Sequence, residues 1–257
     1  MTRAKSNNYA MTFPIEIYFL VPLVVFGAYT VFAISGFGSA LVGIPLLSLF
    51  LPVQFVVPMS VLNDFLASLT VATRERKHVD WKECLIVIPP LVIGISIGVW
   101  LLGDLPPRYV QMALGIFVVG AALYNLLSGT ANPIAISKWW SVPTGLIGGA
   151  LGALFGIAGP LWVLYFTGRI KDDKSRLRAT MSTTFVATTG LRIAMYLLSG
   201  LMLQDNLLWL AAIGFPAMLA GLYVGNKVHT RISVPGMARF ITGMLFVTGS
   251  LLVWRAL

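Results

Sequence analysis

Cysteine, histidine and charged residues are all scarce in this chain. The single cysteine, Cys84, excludes an internal disulfide, and with two histidines it cannot supply the ligand set of a structural zinc site. We therefore expect no metal and no cofactor. Only 11% of the residues are charged, whereas 58% are hydrophobic and the mean hydropathy is +0.87. Soluble domains do not have this composition, so the sequence predicts an all-α polytopic membrane protein.

The net charge of +9 comes from Lys and Arg residues concentrated in a few short loops between apolar segments. This pattern is a signal of membrane orientation, since basic loops stay in the cytoplasm, and it does not indicate a nucleic-acid partner. We expect a multi-pass protein of the cell membrane, most simply a bacterial inner membrane. The predicted cytoplasmic loops are 74–82, 169–178 and 227–239, and the predicted outer loops are 51–54, 103–108 and 200–206.

Two glycine-rich breaks interrupt the apolar runs, at residues 34–40 (Ile-Ser-Gly-Phe-Gly-Ser-Ala) and 154–160 (Leu-Phe-Gly-Ile-Ala-Gly-Pro). The helix that restarts after each break offers an N-terminus, which attracts anions. Unwound backbone is tolerated in a membrane only where protein buries it or where it lines a cavity. Glycines in membrane helices also serve close packing. Two matching breaks favour a binding site near mid-membrane.

The order of apolar segments repeats along the chain, which indicates an internal duplication. Loop 74–82 is basic whereas its counterpart 200–206 is acidic, so the repeats are predicted to have inverted topology. Segments 38–51 and 160–168 are too short to cross as helices, so each repeat is predicted to be a broken, re-entrant helical hairpin followed by three transmembrane helices. The first arm of each hairpin can alternatively cross fully. The predicted organisation is a tail 1–14, repeat 1 at 15–127 (broken helix 15–51, helices 53–73, 84–102, 108–127), a linker 128–140, and repeat 2 at 141–257 (broken helix 141–169, helices 178–199, 207–226, 237–256).

Two ionisable residues, Asp64 and Arg192, lie well inside predicted spans. A charge at the bilayer centre costs at least about 2.5 kcal/mol, so such residues usually have a function. The inverted orientation brings both to a similar depth, where they can form an ion pair between the repeats. Alternatively, Arg192 binds the substrate directly, or Asp64 carries a coupling proton.

Four motifs resemble signatures of the TauE/SafE family of membrane transporters. Gly-Phe-Gly followed by Pro-Leu-Leu within 36–47 is similar to the first glycine signature of that family, and residues 148–160 resemble the second. His-Val-Asp-Trp at 78–81 resembles a loop between spans, and Arg-Ala-Thr-Met-Ser at 178–182 resembles the start of a following helix. The resemblance covers nearly the whole chain from about residue 20.

The resemblance implies a secondary transporter of a small sulfur-containing anion, such as sulfite or the organosulfonate sulfoacetate, commonly acting in export. Its mechanism would be alternating access around the two breaks. The family often has glycine where this chain has Ser39 and Ala158, which affects the identity of the ligand more than the fold. An anion channel, or a transporter of another oxoanion or a carboxylate, is the alternative. A homodimer is also compatible with the sequence.

The predicted site combines backbone amides at the two breaks with nearby hydroxyls and one guanidinium, which are the donors that an oxoanion requires. Aromatic residues beside the breaks are candidates for gates or for ordinary packing. No enzyme activity is expected, because the spans contain neither a nucleophile with a base nor a metal constellation. The candidate substrate-binding residues are Gly36, Phe37, Gly38, Ser39, Ser60, Asn63, Gly156, Ala158, Gly159, Pro160, Trp162, Thr180, Ser182, Thr183 and Arg192.

Overall fold

A computed structural model describes residues 13–35, 39–72, 78–127, 136–170, 173–228 and 234–257. Within these ranges the chain is all-helical, as predicted, and contains no strand. Besides a short 3-10 turn, Lys138–Trp140, the helices are α1 (Ile15–Ser35), α2 (Ser39–Leu47), α3 (Val53–Ala72), α4 (Trp81–Asp104), α5 (Pro107–Leu127), α6 (Ser141–Phe155), α7 (Gly159–Arg169), α8 (Lys174–Leu198), α9 (Leu207–Val228) and α10 (Val234–Ala256).

Five of the described helices, α1, α3, α4, α5 and α9, contain stretches that are long and apolar enough to cross a membrane. Their outward-facing residues are apolar, for example Phe19 and Trp100, which are 75% and 63% exposed. Exposed apolar surface on this scale suits lipid contact and not water. The expected multi-pass membrane protein is thus confirmed.

The starts of α4 and α8 differ from the sequence prediction. Both helices begin several residues before the predicted segments 84–102 and 178–199. The carboxylate of Asp80 accepts a hydrogen bond from a backbone amide in the first turn of α4, and Asp173 does the same for α8. These caps start each helix in a polar first turn, which the apolar pattern could not reveal. The short helix α2 ends at Leu47, earlier than predicted, because residues 48–51 form a turn.

The first helix of each half packs closely against the fourth helix of the other half. Glycines make this approach possible: a Cβ on Gly98 of α4 would lie 2.5 Å from the carbonyl oxygen of Ala150 in α6. In the same way, a Cβ on Gly221 of α9 would lie 2.5 Å from the carbonyl oxygen of Phe26 in α1. The pairs α3 with α8 and α5 with α10 also pack together. The packing of α1 on α9 therefore corresponds to the packing of α6 on α4, and each of the other two pairs joins equivalent helices of the two halves.

Segments of both halves meet at one end of the bundle around Glu83, which is 7% exposed. Arg169 forms an ion pair with the Glu83 carboxylate, and the hydroxyl of Tyr165 donates a 3.0 Å hydrogen bond to it. Nearby, the backbone amide of Asp80 donates a 3.0 Å hydrogen bond to the hydroxyl of Thr180. This end thus joins the beginning of α4 to the end of α7 and the beginning of α8.

Other segments of both halves meet at the far end of α4. The side-chain amide of Gln54 donates a 3.2 Å hydrogen bond to the carbonyl of Leu105, and Gln204 donates a 2.9 Å bond to the carbonyl of Gln54. Arg108 donates a 2.6 Å bond to the carbonyl of Ala256. The beginning of α3, the end of α4 and the beginning of α9 therefore lie together.

Candidate functional site

A small cavity lies where the break between α6 and α7 faces α2, α3 and α8. Its volume of about 40 Å³ has room for only a few water molecules. Most of its wall is apolar, but it contains one cationic and one anionic side chain. The lining residues are Phe32, Ser39, Ala40, Leu41, Asp64, Ser68, Gly156, Ile157, Ala158, Gly159, Pro160, Phe185, Thr188, Thr189 and Arg192.

The break at the cavity wall is set by Gly156, which ends α6 with φ 71° and ψ 0°. This left-handed conformation strongly favours glycine, and the amide of Gly156 still donates a 2.9 Å hydrogen bond to the carbonyl of Gly152. Among the described residues, the backbone amides of Ile157, Ala158 and Gly159 donate no hydrogen bond. Unused amides at the beginning of α7 are donors of the kind that bind anions at helix N-termini.

Arg192 supplies the positive charge of the cavity, although its side chain is only 3% exposed. Its Nη2 makes a long contact of 3.5 Å with the hydroxyl of Tyr196, and its buried Nε has no hydrogen-bond partner within the described residues. The Tyr196 hydroxyl itself donates a 2.5 Å bond to the carbonyl of Ala153. Buried guanidinium donors normally have partners, so Arg192 is left with capacity to bind a ligand.

Asp64 supplies the negative charge, and the ion pair with Arg192, one of the alternatives that the sequence left open, does not form in the described structure. Instead, Oδ1 of Asp64 accepts a 2.7 Å hydrogen bond from the Tyr29 hydroxyl and a 2.9 Å bond from the Ser39 hydroxyl. These two donors lie on α1 and α2. They hold the carboxylate within its own half of the chain.

Two threonine hydroxyls in the cavity wall are already used as donors. Thr188 donates a 2.7 Å hydrogen bond to the carbonyl of Thr184, and Thr189 donates a 2.8 Å bond to that of Phe185. In this arrangement both hydroxyls offer only lone pairs to the cavity. These two hydroxyls therefore add no donor for an anion to those of Arg192 and the backbone amides.

A smaller cavity of about 10 Å³ lies on the other side of Asp64. It brings together Ser60 and Asn63 of α3 with Tyr29 and Ser39, so two further predicted residues lie near the carboxylate. Their side chains do not reach the main cavity. Ser60 and Asn63 therefore lie beside Asp64 and do not line the cavity that contains Arg192 and the unbonded amides.

The main cavity brings together six predicted substrate-binding residues and Asp64. The residues Gly36, Phe37 and Gly38 of the first break lie outside the described part of the chain. The six predicted residues in the cavity wall are Ser39, Gly156, Ala158, Gly159, Pro160 and Arg192.

Four predicted residues, Trp162, Thr180, Ser182 and Thr183, line neither cavity. Trp162 is 1% exposed and stacks on Phe166 with ring centroids 6.1 Å apart, so it packs in the core of this structure. The three hydroxyl residues belong to the first turns of α8. Thr180 is roughly 18 Å along the helix axis from Arg192 at 1.5 Å per residue. Thr180 instead bonds the amide of Asp80.

The sequence prediction missed three hydroxyl residues of the cavity, Ser68, Thr188 and Thr189. Their spacing from the charged residues in the sequence could have identified them. Ser68 follows Asp64 by four residues, and the two threonines precede Arg192 by four and three residues. Residues three or four apart share a helix face, so each lies beside the charged residue on its own helix.

Comparison with known proteins identifies the family. The profile described as Sulfite exporter TauE/SafE matches residues 21–252. The chain is 26% identical over 201 residues to the probable inner membrane transporter protein TsaS of Comamonas testosteroni, covering 76% of this chain and 82% of the relative. It is 24% identical over 242 residues to the probable sulfite/organosulfonate exporter TauE of Cupriavidus necator, covering 90% and 92%. No solved structure matches the chain significantly. Because the profile covers most of its length, this multi-pass membrane protein belongs to the TauE/SafE family of membrane transporters.

Proposed function

We propose that the chain is a secondary transporter that exports a small sulfur-containing anion, sulfite or an organosulfonate such as sulfoacetate. The observation that carries this proposal is the unused donor set of the main cavity. Arg192, whose buried Nε lacks a partner among the described residues, lines the same cavity as Ile157, Ala158 and Gly159, whose backbone amides donate no hydrogen bond within that part of the chain. Charge-assisted bonds from Arg192 together with amide bonds at a helix N-terminus suit an oxoanion with several acceptor oxygens.

The substrate class comes from the relatives. One relative is named a probable sulfite/organosulfonate exporter, and the matching profile is that of a sulfite exporter. Sulfite and sulfonate groups present three oxygens, which match a fork of guanidinium donors combined with amides. The negative charge that already lies in the cavity, on Asp64, is held by Tyr29 and Ser39 and does not occupy the Arg192 donors.

We further propose that the two halves are inverted repeats and that access alternates around this cavity. Helix α3 begins at the end where Gln54 bonds to Leu105. Its counterpart α8 begins at the other end, where Thr180 bonds to Asp80. Matching helices that run in opposite directions support inverted topology. Secondary transporters with inverted repeats place their site between the halves and expose it alternately to either side.

A transporter fits the described cavity better than a channel does. A channel requires a continuous polar path, whereas this cavity is small and its wall is largely apolar. The polar groups are concentrated around one break and two charged residues. This arrangement suits binding of one anion at a time, followed by a conformational change.

The direct test measures binding and flux with the purified protein. Thermal shift with sulfite, sulfoacetate, acetate and chloride should show stabilisation by one or both sulfur anions, and proteoliposomes should show saturable flux of the same anion. Arg192→Gln should strongly weaken both effects at a given anion concentration, whereas Asp104→Asn, an exposed change at the end of α4, should change neither. Stabilisation by acetate alone would indicate a carboxylate as the substrate in place of a sulfur anion. Flux without saturation would indicate a channel.

A further inference from the structure

We propose that Asp64 takes up one proton when an anion binds beside Arg192, so that the anion and a proton cross the membrane together. This inference rests on the transport function proposed above and adds the coupling ion. The position of Asp64 supports it, because the residue lines both the main cavity and the smaller cavity behind it. The carboxylate can therefore respond to an anion in the main cavity.

The hydrogen bonds of Asp64 leave one oxygen available for a proton. The hydroxyls of Tyr29 and Ser39 both donate to Oδ1, at 2.7 and 2.9 Å. Oδ2 accepts no hydrogen bond from any described residue. A proton delivered by water can bind to Oδ2 without breaking either bond, and Oδ2 returns it to water when the anion leaves.

The charge balance of the cavity links the proton to the anion. Burial opposes the ionised carboxylate, whereas the two hydroxyl donors and the nearby cation Arg192 favour it. The empty cavity holds one positive and one negative side chain. When an anion binds beside Arg192, the cavity acquires uncompensated negative charge, which a proton on Asp64 reduces by one unit. By thermodynamic linkage, each ligand strengthens the binding of the other equally.

Apart from Arg192, the described parts of the neighbouring helices bring no charged group to the two cavities beside Asp64. From α8, Tyr196 lies one turn beyond Arg192, and its hydroxyl is bonded to a carbonyl. Helix α6 has no charged residue, while Arg108 of α5 and Lys227 of α9 lie in terminal turns of their helices. Asp64 is thus the carboxylate that can compensate a bound anion in the described cavity.

The surroundings of Asp64 favour a proton over a metal cation. A metal ion needs several oxygen lone pairs directed at it, about six for the common hard cations. Here the hydroxyls of Tyr29 and Ser39 direct their hydrogens at Asp64, and the adjoining cavity of about 10 Å³ has room for about one water. The main cavity adds lone pairs of Thr188 and Thr189, but the positive charge of Arg192 in the same wall repels a metal cation. A dianion accompanied by one proton still carries a net negative charge, so an interior-negative membrane potential favours its export.

The first experiment measures proton uptake during binding. Sulfoacetate is the probe, because both of its acidic groups remain ionised between about pH 6 and pH 8. Calorimetric titration of the purified protein in buffers with different ionisation enthalpies gives the number of protons bound per anion. We expect uptake approaching one proton for the wild type and for the control Asp104→Asn, and none for Asp64→Asn.

The same titrations give a second, independent readout. Above the pH at which the empty protein releases the Asp64 proton, the wild-type Kd should rise by up to about tenfold per pH unit, because one proton is linked to one anion. The Kd of Asp64→Asn should not depend on pH. Tyr29→Phe removes one donor to the ionised carboxylate, so it should move the onset of this dependence to higher pH even if Asp64→Asn does not fold.

Three results would decide against the inference in distinguishable ways. Wild-type binding without proton uptake and without pH dependence would overturn the coupling and leave the anion transporter intact. Sodium-dependent binding without proton uptake would assign Asp64 to a cation instead. Failure of the wild type to bind sulfoacetate or sulfite at any pH would overturn the proposed function together with this inference.

Discussion

Arg192 and Asp64 line the same cavity but do not form an ion pair in the described structure. The carboxylate is bonded to Tyr29 and Ser39, whereas the guanidinium makes one long contact with Tyr196 and has a buried Nε without a partner. An ion pair would have used up to two of the five N–H donors of Arg192 and compensated its charge. Their separation leaves the positive charge available for a ligand.

The first prediction concerns Arg192→Gln. Loss of a charge-assisted hydrogen bond costs about 1.5–3 kcal/mol, so the affinity for the sulfur anion should fall about 10- to 100-fold or more. Thermal stability should change little, since Arg192 has few bonds to lose. Calorimetric titration and thermal unfolding of the purified variant check both expectations.

The double variant Asp64→Asn with Arg192→Gln distinguishes ligand binding from a structural role of the charge pair. If Arg192 binds the anion, neutralising its neighbour should not restore affinity. Wild-type binding and transport by the double variant would contradict the prediction and would leave the two charges as mutual structural partners.

The second prediction concerns Gly156→Ala. A methyl group here would force a non-glycine residue into the left-handed conformation and would collide with the Cδ1 atom of Ile44. We expect a loss of about 2 kcal/mol of stability and weaker anion binding, because the break moves away from α2. The control is Gly120→Ala in α5, where an added Cβ has no neighbour within 4 Å. Equal thermal midpoints for both variants would contradict this account of the break.

Much of the cavity could be predicted from the sequence because helix breaks in apolar segments are physically costly. Gly156 marks the end of α6, and Pro160 lies in the first turn of α7, where proline is tolerated. The charges Asp64 and Arg192 were conspicuous for the same reason, since apolar spans rarely contain them. The cavity contains both features.

The partners of these residues could not be predicted, because they depend on how helices rotate and cross. Depth along the spans suggested Arg192 as one candidate partner of Asp64, yet the side chains that bond to Asp64, Tyr29 and Ser39, come from α1 and α2. Thr180 was chosen for its hydroxyl near the second break. Both residues belong to one continuous helix, and the twelve-residue separation of their positions places Thr180 roughly 18 Å from Arg192 along α8.

The third prediction concerns the pH dependence of stability at Asp80, in the loop before α4. Burial raises the pKa of this carboxyl, but the guanidinium of Arg176 and the amides of Glu83 and Lys82 outweigh burial and hold the pKa below its ordinary value. A depressed pKa means that the stabilisation is present above the unfolded-state value and is lost as the pH falls through the folded-state value.

Asp80→Asn should therefore lower the thermal midpoint at neutral pH, and the difference from wild type should shrink as the pH falls below about 4. Asparagine also caps helices well, so the variant mainly removes the charge that attracts Arg176. Thermal unfolding of both proteins across this pH range checks the prediction. A difference that stays constant with pH would show that the charge does not stabilise the fold.

The last prediction tests inverted topology by comparing equivalent loops. Phe50 follows the short helix α2 of the first half, and Asp173 follows the short helix α7 of the second half. Both side chains are exposed, and native Cys84 is buried, so cysteines introduced at 50 and 173 should react selectively with a membrane-impermeant maleimide. If the repeats are inverted, Phe50→Cys should be labelled in intact spheroplasts and Asp173→Cys only after the membrane is opened.

The wild type provides the background, because its buried thiol should stay unlabelled in both preparations. Labelling of both variants from one face would mean that the halves are parallel, and the opposite bonding of α3 and α8 at the bundle ends would then need another explanation.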